Sequence, residues 1–533
     1  MNKRVLRVSG LRLPLSKLTS SSQEEHLLRE LAAKHCGAPV SAVLALDLEK
    51  KSLDAREKER PAFLYTVRVT VQGKARGEVA SKPPQVDLPT LSLGKHLRPV
   101  IIGAGPAGLF AAYALALSGL KPLVLERGFP VEERALTVQD FWTGKGLSLD
   151  SNIQFGEGGA GAFSDGKLTS RSKDTLGRFV LETLVEHGAP KDILYWHKPH
   201  IGSDVLPQVV AALRRHIEEL GGEFRYGCRV TGFLLRQGAI EGVRFLDAAG
   251  EQDLPVEYLV LAVGNGAREI YHSLAALDLA MEAKPFAVGL RIAHAQSMLD
   301  QGQYGSFAQH PLLGAADYQL TYTDAQTGKG CYTFCNCPGG YIVNASSTAN
   351  GLVVNGASDR KRNGPWGNSA VVAQVSPGED FGTDPLAGMH FQEKLEQAAF
   401  TLGGGNHYTP CMSIASFFGN SRDMSWDTGC LRTPGSVFRD VRECLPEAIT
   451  ESLQRAISTW NRRIPGFGEE GLLAAVESRT SAPLRILRGE DRQSLNCRGL
   501  YPAGEGAGYA GGIVSSALDG FRTALAVLER YSE

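Results

Sequence analysis

The sequence lacks the regular cysteine spacing and the leader segment that mark many secreted proteins. Its 9 cysteines are scattered, and an odd number cannot all pair within one chain. The first ten residues are basic, but no apolar segment or small-residue cleavage site follows them. We therefore expect reduced thiols and a cytoplasmic location, because disulfides are rare in that compartment.

A strong net charge and an uninterrupted apolar span are absent as well. The chain of 533 residues has a net charge of −1, so we expect no overall attraction to nucleic acid or to a membrane. Residues 100–120 contain no charged residue, but three glycines and Pro106 break this run near its start. The content of 43% hydrophobic and 21% charged residues is typical of globular proteins, and the length predicts two to four domains.

The charge is unevenly placed along the chain. Residues 1–98 hold 18 Lys and Arg against 10 Asp and Glu. Alternating apolar patterns predict a small α+β domain over residues 1–73. A docking or oligomerisation module is one interpretation of it, and RNA binding through its basic charge is an alternative. Residues 74–97, with Pro83 and Pro84, have the composition of a linker. The predicted elements are strands over residues 4–13, 43–53 and 63–71 and a helix over residues 23–35.

A glycine-rich turn between two short apolar runs is the strongest signal in the chain. Gly103, Gly105 and Gly108 have the G-x-G-x-x-G spacing, between a predicted buried strand and a helix rich in Ala and Leu. In such a turn the backbone can approach a pyrophosphate, whose charge faces the helix N-terminus. The next predicted strand ends on Glu126, where a carboxylate can bind ribose hydroxyls. This order of elements predicts a dinucleotide-binding site.

A second glycine-rich stretch covers residues 152–168. Five glycines interleaved with aromatic residues indicate an ordered loop that can lay backbone N–H groups along a phosphate or a planar ring. Within it, Ser164 and Lys167 are candidates for the polar edge of a cofactor or for a substrate. Upstream of it, Arg134 lies either over the cofactor phosphates or on the surface of a helix.

Residues 285–480 carry no dinucleotide fingerprint but are rich in strand-like runs. This pattern predicts a sheet-based substrate domain inserted into the cofactor domain. Cys331, Cys335 and Cys337 lie close together within it. A zinc site would need a fourth ligand, and no Cys or His nearby in the sequence supplies one. Buried structural thiols and a Cys-x-Cys redox pair are the two alternatives.

The last glycine-rich stretch, residues 499–520, contains another G-x-G-x-x-G match at Gly506, Gly508 and Gly511. Only 22 residues follow Gly511, too few for the helix, strand and acid of a second nucleotide-binding unit. We instead predict that the chain returns to the first domain and ends in a helix over residues 512–529. The N-terminus of this helix would face the cofactor and stabilise negative charge there.

Together these stretches resemble a family of uncharacterised FAD-dependent dehydrogenases, which combine a glutathione-reductase-like FAD fold with a C-terminal domain of their own. Asn265 and Gly266 stand where a bulkier pair is expected, and Ala162 where threonine is expected. The matching motifs begin at Ile102, Gln154, Lys198, Leu261, Thr333 and Tyr501. The resemblance implies an α/β fold: a glutathione-reductase-type FAD-binding Rossmann-like domain with an inserted sheet-based substrate domain and a small N-terminal α+β domain. The expected boundaries are 98–284 and 481–533 for the FAD-binding domain and 285–480 for the insertion.

The resemblance also implies non-covalent FAD. The glycine turn and Glu126 would hold its ADP half, and the backbone at Val230 would meet the adenine. Gly264 would lie by the pyrophosphate, and Gly504 and Gly512 by the ribityl chain and the ring. The complete set of expected cofactor-binding residues is Gly103, Gly105, Pro106, Ala107, Gly108, Glu126, Arg127, Arg134, Gly158, Gly159, Val230, Gly264, Gly504, Glu505, Gly512 and Ile513.

The expected activity is hydride transfer between the flavin and a small-molecule substrate, with NAD(P)H as a candidate electron donor. Lys167, Arg291 and His294 are the candidate groups that polarise or protonate the substrate. Two alternatives are a flavin-dependent monooxygenase fed by NAD(P)H and an RNA-associated flavoprotein that uses the basic N-terminal domain. No metal is expected, and the sequence leaves the oligomeric state open.

Overall fold

The computed structural model describes residues 3–80, 86–168 and 176–532, so Pro83 and Pro84 of the predicted linker lie outside the described residues. The N-terminal part is an antiparallel sheet covered on one face by a helix. Its elements are β1 (Lys3–Pro14), α1 (Ser21–Cys36), β2 (Val43–Asp54), β3 (Ala62–Gln72) and β4 (Glu78–Val79), in the sheet order β2-β3-β1-β4. Two features of the sequence set the ends of α1. The Ser20 hydroxyl accepts a hydrogen bond from the N–H of Gln23, and Gly37 ends the helix in the left-handed conformation.

This N-terminal domain has the predicted order of strands and helix, with one addition. Strand β4 lies inside the stretch predicted to be a linker, and Val79 pairs with Leu6 of β1. The two residues of β4 are too few to produce an alternating pattern, which is why the sequence did not reveal this strand.

The central part of the molecule begins with the glycine-rich turn. Three of its strands, β5 (Val100–Ile102), β6 (Leu123–Leu125) and β11 (Leu259–Leu261), are three residues long and fully buried, as expected for parallel strands covered on both faces. Three longer strands, β8 (Arg229–Arg236), β9 (Ala239–Asp247) and β10 (Gly250–Pro255), form a separate antiparallel sheet with β9 in the middle. The elements are β5 (Val100–Ile102), α2 (Pro106–Leu117), β6 (Leu123–Leu125), α3 (Val131–Trp142), α4 (Leu176–Glu186), α5 (Leu206–Glu219), β7 (Glu223–Arg225), β8 (Arg229–Arg236), β9 (Ala239–Asp247), β10 (Gly250–Pro255), β11 (Leu259–Leu261), α6 (Arg268–Ala276) and β12 (Met281–Ala283).

The inserted part is built on a seven-stranded mixed sheet. Its elements are β13 (Phe286–Ala295), α7 (Gln296–Tyr304), β14 (Thr321–Thr323), β15 (Gly330–Cys337), β16 (Tyr341–Asn344), β17 (Val354–Ala357), β18 (Trp366–Val375), α8 (Ala387–Leu402), β19 (Thr409–Ser413), α9 (Ile414–Phe417), β20 (Leu431–Arg432), β21 (Ser436–Phe438), α10 (Glu447–Asn461) and β22 (Leu472–Glu477). The large sheet has the order β14-β15-β18-β13-β22-β19-β21, and a small sheet has the order β17-β16-β20. The sequence predicts strands over residues 287–293, 319–323, 340–344, 351–355 and 370–375, so β15 and β19 to β22 were missed. Every residue of β19 and β22 is buried, so neither strand shows polar alternation.

The C-terminal segment returns to the central sheet through β23 (Leu484–Ile486), β24 (Leu500–Pro502) and α11 (Ile513–Ser532). β24 pairs in parallel with β11 and completes the sheet order β24-β11-β5-β6-β7. Helix α11 packs closely on α2, since a methyl group on Gly520 would overlap the carbonyl oxygen of Ala107. The second G-x-G-x-x-G match follows β24, a strand of the same sheet as β5, so it starts no separate nucleotide-binding unit.

The N-terminal domain contacts both other parts of the chain. The N–H of Lys51 donates to the carbonyl of Tyr195, and the N–H of His197 donates back to the carbonyl of Lys51. In the inserted part, His310 Nε2 lies 3.1 and 2.8 Å from the carbonyl oxygens of Leu15 and Leu18. Within the described ranges, every helix is too short or too polar to cross a membrane.

Candidate functional site

A cavity of about 1460 Å³ lies at the carboxyl ends of the parallel strands. β5 lies between β6 and β11, an arrangement that opens a crevice between the two crossover connections. The glycine-rich loop over residues 152–168 and the N-terminus of α11 line the cavity, and β15 of the inserted part closes one side. Glu49 and Lys50 bring the N-terminal domain to its wall. All three parts of the chain therefore enclose one space.

Most of the predicted cofactor-binding residues line this cavity. Gly108, Arg134 and Gly158 do not. The predicted residues that line it are Gly103, Gly105, Pro106, Ala107, Glu126, Arg127, Gly159, Val230, Gly264, Gly504, Glu505, Gly512 and Ile513.

The turn between β5 and α2 presents backbone N–H groups to the cavity. Gly105 is the N-cap of α2, and no side chain caps this end of the helix. The first N–H groups of the helix therefore have no partner within the helix and can bind an anion, which the helix dipole also favours. Gly108 acts from behind: a methyl group there would overlap the carbonyl oxygen of Gly103, so glycine allows α2 to start close to β5.

Glu126 directly follows β6 and is buried at the cavity wall. Its carboxylate accepts hydrogen bonds from the N–H groups of Ala104 at 2.8 Å, Gly128 at 2.9 Å and Gly156 at 3.1 Å. Two of these bonds go to Oε1 and one to Oε2, so Oε2 keeps acceptor capacity for a ligand hydroxyl. The acid thus joins the glycine turn to the glycine-rich loop.

Four side chains that line the cavity have shielded polar atoms without a hydrogen-bond partner among the described residues: Arg127, Asn265, Tyr318 and Asn336. Both amide atoms of Asn265 are in this state, and so is Nε of Arg127. The other guanidinium nitrogens of Arg127 bind Glu269 at 2.6 Å and Asp150 at 2.9 Å. Shielded polar atoms are costly unless a ligand satisfies them, so this wall fits a nucleotide-sized polar ligand.

Arg134 differs from its predicted place over the cofactor phosphates. It is fully buried, and burial lowers its pKa to about 10. Its guanidinium instead donates to the carbonyl groups of the glycine-rich loop, a role that its five donors suit well. The acceptors are Asn152 at 2.8 Å, Ile153 at 2.9 Å, Gly156 at 3.1 Å, Glu157 at 2.6 Å and Gly159 at 2.9 Å. Arg134 holds the shape of the loop from behind.

The glycine-rich loop follows the cavity from the α2 end to the inserted part. The N–H of Gly158 donates to the carbonyl of Ala104 at 2.8 Å, which ties the loop to the first turn. A Cβ on Gly159 would lie 3.1 Å from Gly105 Cα, and one on Gly161 would lie 3.0 Å from Cγ1 of Ile513. The loop therefore passes the N-termini of α2 and α11 in turn.

Glu505 lies at the cavity near the start of α11. Burial raises its pKa to about 7, and the charge of Lys284 opposes this only in part. The neighbouring loops are tied together by Tyr271, whose hydroxyl lies 3.1 Å from the Gly264 carbonyl oxygen and 3.0 Å from that of Gly506.

Of the three predicted catalytic side chains, the structure brings only Lys167 to the cavity wall. Its Nζ lies 2.8 Å from Asp165 Oδ2 and within 3.8 Å of two cysteine sulfurs. Although burial opposes it, the charge of Asp165 raises the pKa of Lys167, so the ammonium keeps its charge. Asp165 also forms an ion pair with Arg362.

Arg291 and His294 do not line the cavity, because both lie on β13 inside the inserted part. Arg291 is fully buried and forms an ion pair with Glu477 at 3.1 Å, behind the cysteines of β15. His294 is also fully buried, with Nε2 at 2.9 Å from the carbonyl oxygen of Phe467. Burial lowers the pKa of His294 to about 4, so it is neutral and packed against the Phe467 ring. The geometry gives neither residue direct access to a substrate.

Several residues at the cavity were missed by sequence reasoning. Asp165, Arg362, Glu477 and Asn265 come from separate segments, and only the tertiary fold brings them together. Asn265 had a signal, because it departs from the expected family pattern. The described residues contain no group of three or more His, Cys, Asp or Glu side chains placed to hold a metal ion.

The fold and this site define an α/β protein with a parallel Rossmann-like sheet, into which a second, sheet-based domain is inserted. Three family models match the chain. Residues 101–130 match a NAD(P)-binding Rossmann-like domain, residues 285–480 match a domain described as FAD-dependent protein, C-terminal domain-like, and residues 6–70 match a domain of unknown function.

A full-length relative extends this match. The chain is 39% identical over 540 residues to an uncharacterised protein of Clostridium beijerinckii, covering 99% of both chains. The chain belongs to the family of FAD-dependent proteins that join a Rossmann-like domain to this C-terminal domain.

Solved flavoprotein structures show a more distant similarity. A flavoprotein/dehydrogenase of Cytophaga hutchinsonii is 13% identical, with 82% of this chain and 79% of that chain covered and a TM-score of 0.37. Glycerol-3-phosphate dehydrogenase of Bacillus halodurans, solved with FAD, is 10% identical, with 82% and 64% covered and a TM-score of 0.35.

Proposed function

We propose that the protein is an oxidoreductase that binds one FAD non-covalently along the cavity and moves a hydride between the flavin and a small-molecule substrate. The observation that carries this proposal is the continuity of the cavity. It joins the glycine turn at β5 to a charged end walled by the inserted domain. A cofactor held at the first end can therefore meet a substrate at the second.

The end of the cavity at the turn between β5 and α2, here called the glycine end, suits the ADP half of FAD. The N–H groups at the start of α2 would bind the pyrophosphate, and Oε2 of Glu126 would accept from a ribose hydroxyl. The shielded amide of Asn265 would hydrogen-bond to the cofactor nearby. FAD supplies the hydride chemistry when bound, and the protein supplies binding, orientation and electrostatics.

The residues at the opposite end control charge. The N-terminus of α11, beginning at Ile513, favours negative charge in the cavity through its unpaired N–H groups and its dipole. Lys167 stays an ammonium and can donate a hydrogen bond to a substrate oxygen. Glu505, whose pKa is about 7, can hold or release a proton near neutral pH.

Glu126→Gln tests the cofactor site. We expect the dissociation constant for FAD to rise about 10- to 100-fold, because a hydrogen bond to a charged acceptor contributes about 1.5–3 kcal/mol. The measurement is a titration of the FAD-depleted protein, followed by the visible flavin band. Glu223→Gln is the matched control, because Glu223 starts the neighbouring strand but pairs with Arg98 and Arg225 outside the cavity.

Absence of a flavin band in the wild-type protein after FAD is added would contradict the proposal. Unchanged FAD affinity in a folded Glu126→Gln variant would remove Glu126 from the site.

Anaerobic mixing of the FAD-loaded protein with NADH or NADPH identifies the electron donor. Rapid bleaching of the flavin band indicates a nicotinamide-fed enzyme, and readmitted oxygen then separates a reductase from a monooxygenase. Slow bleaching with both nucleotides indicates that the substrate itself reduces the flavin.

A further inference from the structure

Two cysteines stand where β15 reaches the cavity. Cys335 is half-buried and lines the cavity, and Cys337 is buried directly behind it. The strand is irregular here: the pairing of β15 with β18 shifts register between Phe334 and Cys337. Cys335 itself has a φ of +48°, a backbone conformation that a non-glycine residue rarely adopts. Such irregularities next to a cavity often aim a side chain for function.

Two cations contact this pair of thiols from opposite sides. From the glycine-rich loop, Lys167 Nζ lies 3.8 Å from Cys335 Sγ and 3.6 Å from Cys337 Sγ. From β13, Arg291 Nη2 donates to the Cys335 carbonyl at 2.6 Å and lies 3.4 Å from Cys337 Sγ. The two carboxylates that accompany these cations are Asp165 and Glu477.

The two thiols have unequal acidity. The hydrogen bond from Cys337 lowers the pKa of Cys335, and the charges of Lys167 and Arg291 act in the same direction. Burial opposes this shift but does not cancel it. Burial and the hydrogen bond to Cys335 raise the pKa of Cys337. Cys335 is therefore the more acidic thiol of the pair, and the thiolate is the form from which a dithiol is oxidised.

The other cysteines behave as ordinary buried thiols, and all nine lie in the described ranges. Burial raises the pKa of Cys331, which is on the same strand but faces the core, to about 12. Burial also raises the pKa of each of the remaining six, which are Cys36, Cys228, Cys411, Cys430, Cys444 and Cys497. Cys335 is thus the exception in a chain of otherwise inert thiols.

The position of the pair along the cavity relates it to the cofactor. The glycine-rich loop passes the N-terminus of α2, then the N-terminus of α11 at Ile513, and reaches the thiols with Lys167. Both sulfurs contact the same Lys167 Nζ, so the two thiols lie on the same side of this irregular part of the strand.

We propose that Cys335 and Cys337 form a redox-active dithiol that exchanges two electrons with the flavin. Oxidation forms the Cys335–Cys337 disulfide from one thiolate and one thiol. The two electrons and the proton of Cys337 convert oxidised flavin to its anionic two-electron-reduced form, and the reverse step restores the dithiol. The substrate class that follows is a disulfide or dithiol compound able to exchange with Cys335 at the cavity surface. This inference rests on the proposed FAD site.

The test counts electrons and maps thiols in the FAD-loaded protein. The protein is reduced with dithionite, reoxidised by air, freed of reagents and titrated again with dithionite under anaerobic conditions. We expect uptake of four electrons per FAD, two by the flavin and two by the disulfide. Cys335→Ser and Cys337→Ser are each expected to bind FAD and take up only two.

Cys331→Ala is the matched control, because Cys331 lies on the same strand and faces away from the cavity; it should still take up four electrons. A second readout needs no variant. Acid-quenched wild-type protein is alkylated without reductant, and mass spectrometry should show residues 335 and 337 blocked after reoxidation and alkylated after reduction.

Each outcome decides the inference. Uptake of two electrons by wild-type protein, with both thiols alkylated after reoxidation, would overturn the dithiol and leave the FAD site standing. A thiolate that only balances the charge of Lys167 would give that result. A protein that binds no FAD would overturn both proposals.

Discussion

The two ends of the cavity are built by different means. The glycine end presents backbone N–H groups from the β5–α2 turn and one carboxylate, all within residues 103–126. The thiol end is assembled from side chains of four separated segments: the glycine-rich loop, β13, β15 and β22. The properties of the glycine end depend on how closely the backbone can approach a ligand, and those of the thiol end depend on the positions of charged side chains. The comparison teaches that a backbone site tolerates few changes of size, whereas a side-chain site responds to changes of charge.

Gly108→Val is expected to have the largest effect, because its larger side chain disrupts the backbone packing at the glycine end. Its side chain would overlap the carbonyl oxygen of Gly103 and push α2 away from β5. We expect loss of FAD binding and destabilisation by more than about 3 kcal/mol, measured by flavin absorption and urea unfolding. Gly314→Val is the control, since nothing lies within 4 Å of a Cβ at that exposed position. Normal FAD binding by Gly108→Val would show that close packing here is dispensable.

Glu505→Gln tests the buried carboxyl group near the start of α11 through the pH dependence of stability. Burial raises the pKa of Glu505 from 4.5 to about 7, so the native state resists its ionisation. Wild-type stability should therefore fall, relative to the variant, as pH rises from about 4.5 through about 7. Above that window the variant should be more stable by up to about 3 kcal/mol, and near pH 4.5 the two should be similar.

The measurement for Glu505→Gln is urea unfolding of FAD-free protein at pH 5 and pH 8. Glu529→Gln, on the exposed side of α11, should show no such pH-dependent difference. A variant equally stable relative to wild type at both values would contradict the raised pKa.

Lys167→Met has the smallest expected effect and tests the thiol end by charge alone. The groups that face Cys335 are Lys167 and Asp165 from the glycine-rich loop, Arg291 from β13 and Glu477 from β22. Removal of the ammonium should raise the pKa of Cys335. Iodoacetamide alkylation of Cys335 should slow about tenfold when it is measured at a pH below the midpoint of the wild-type thiol, where the rate follows the thiolate fraction; this is the effect of about one pKa unit.

Mass spectrometry of the Cys335 peptide over time follows this reaction. Lys167→Arg should restore most of the rate, because it keeps the charge. An unchanged rate in Lys167→Met would show that Arg291 and the Cys337 hydrogen bond suffice.

Sequence reasoning was accurate for features formed by neighbouring residues and less accurate for features formed by distant segments. Strands with alternating faces, such as β1 and β3, were predicted within a residue or two of their ends. Strand β22 was missed, because all its residues are buried and it shows no alternation. Among site residues, the glycine turn and Glu126 were located at the cavity. Arg134 was predicted either over the phosphates or on the surface of a helix, but it is buried and donates to carbonyl groups of the loop. The sequence could not show which face of its helix would be buried.

The sequence alone determined the dinucleotide-binding unit, because its glycines, helix and acid act at fixed short spacings along one segment. Only the tertiary structure decided that Lys167 and Arg291 meet Cys335 and Cys337, and that His294 lies buried away from the cavity. The physical reason is that backbone recognition is local in sequence, whereas the acidity of a thiol depends on charges and burial that distant segments bring to it.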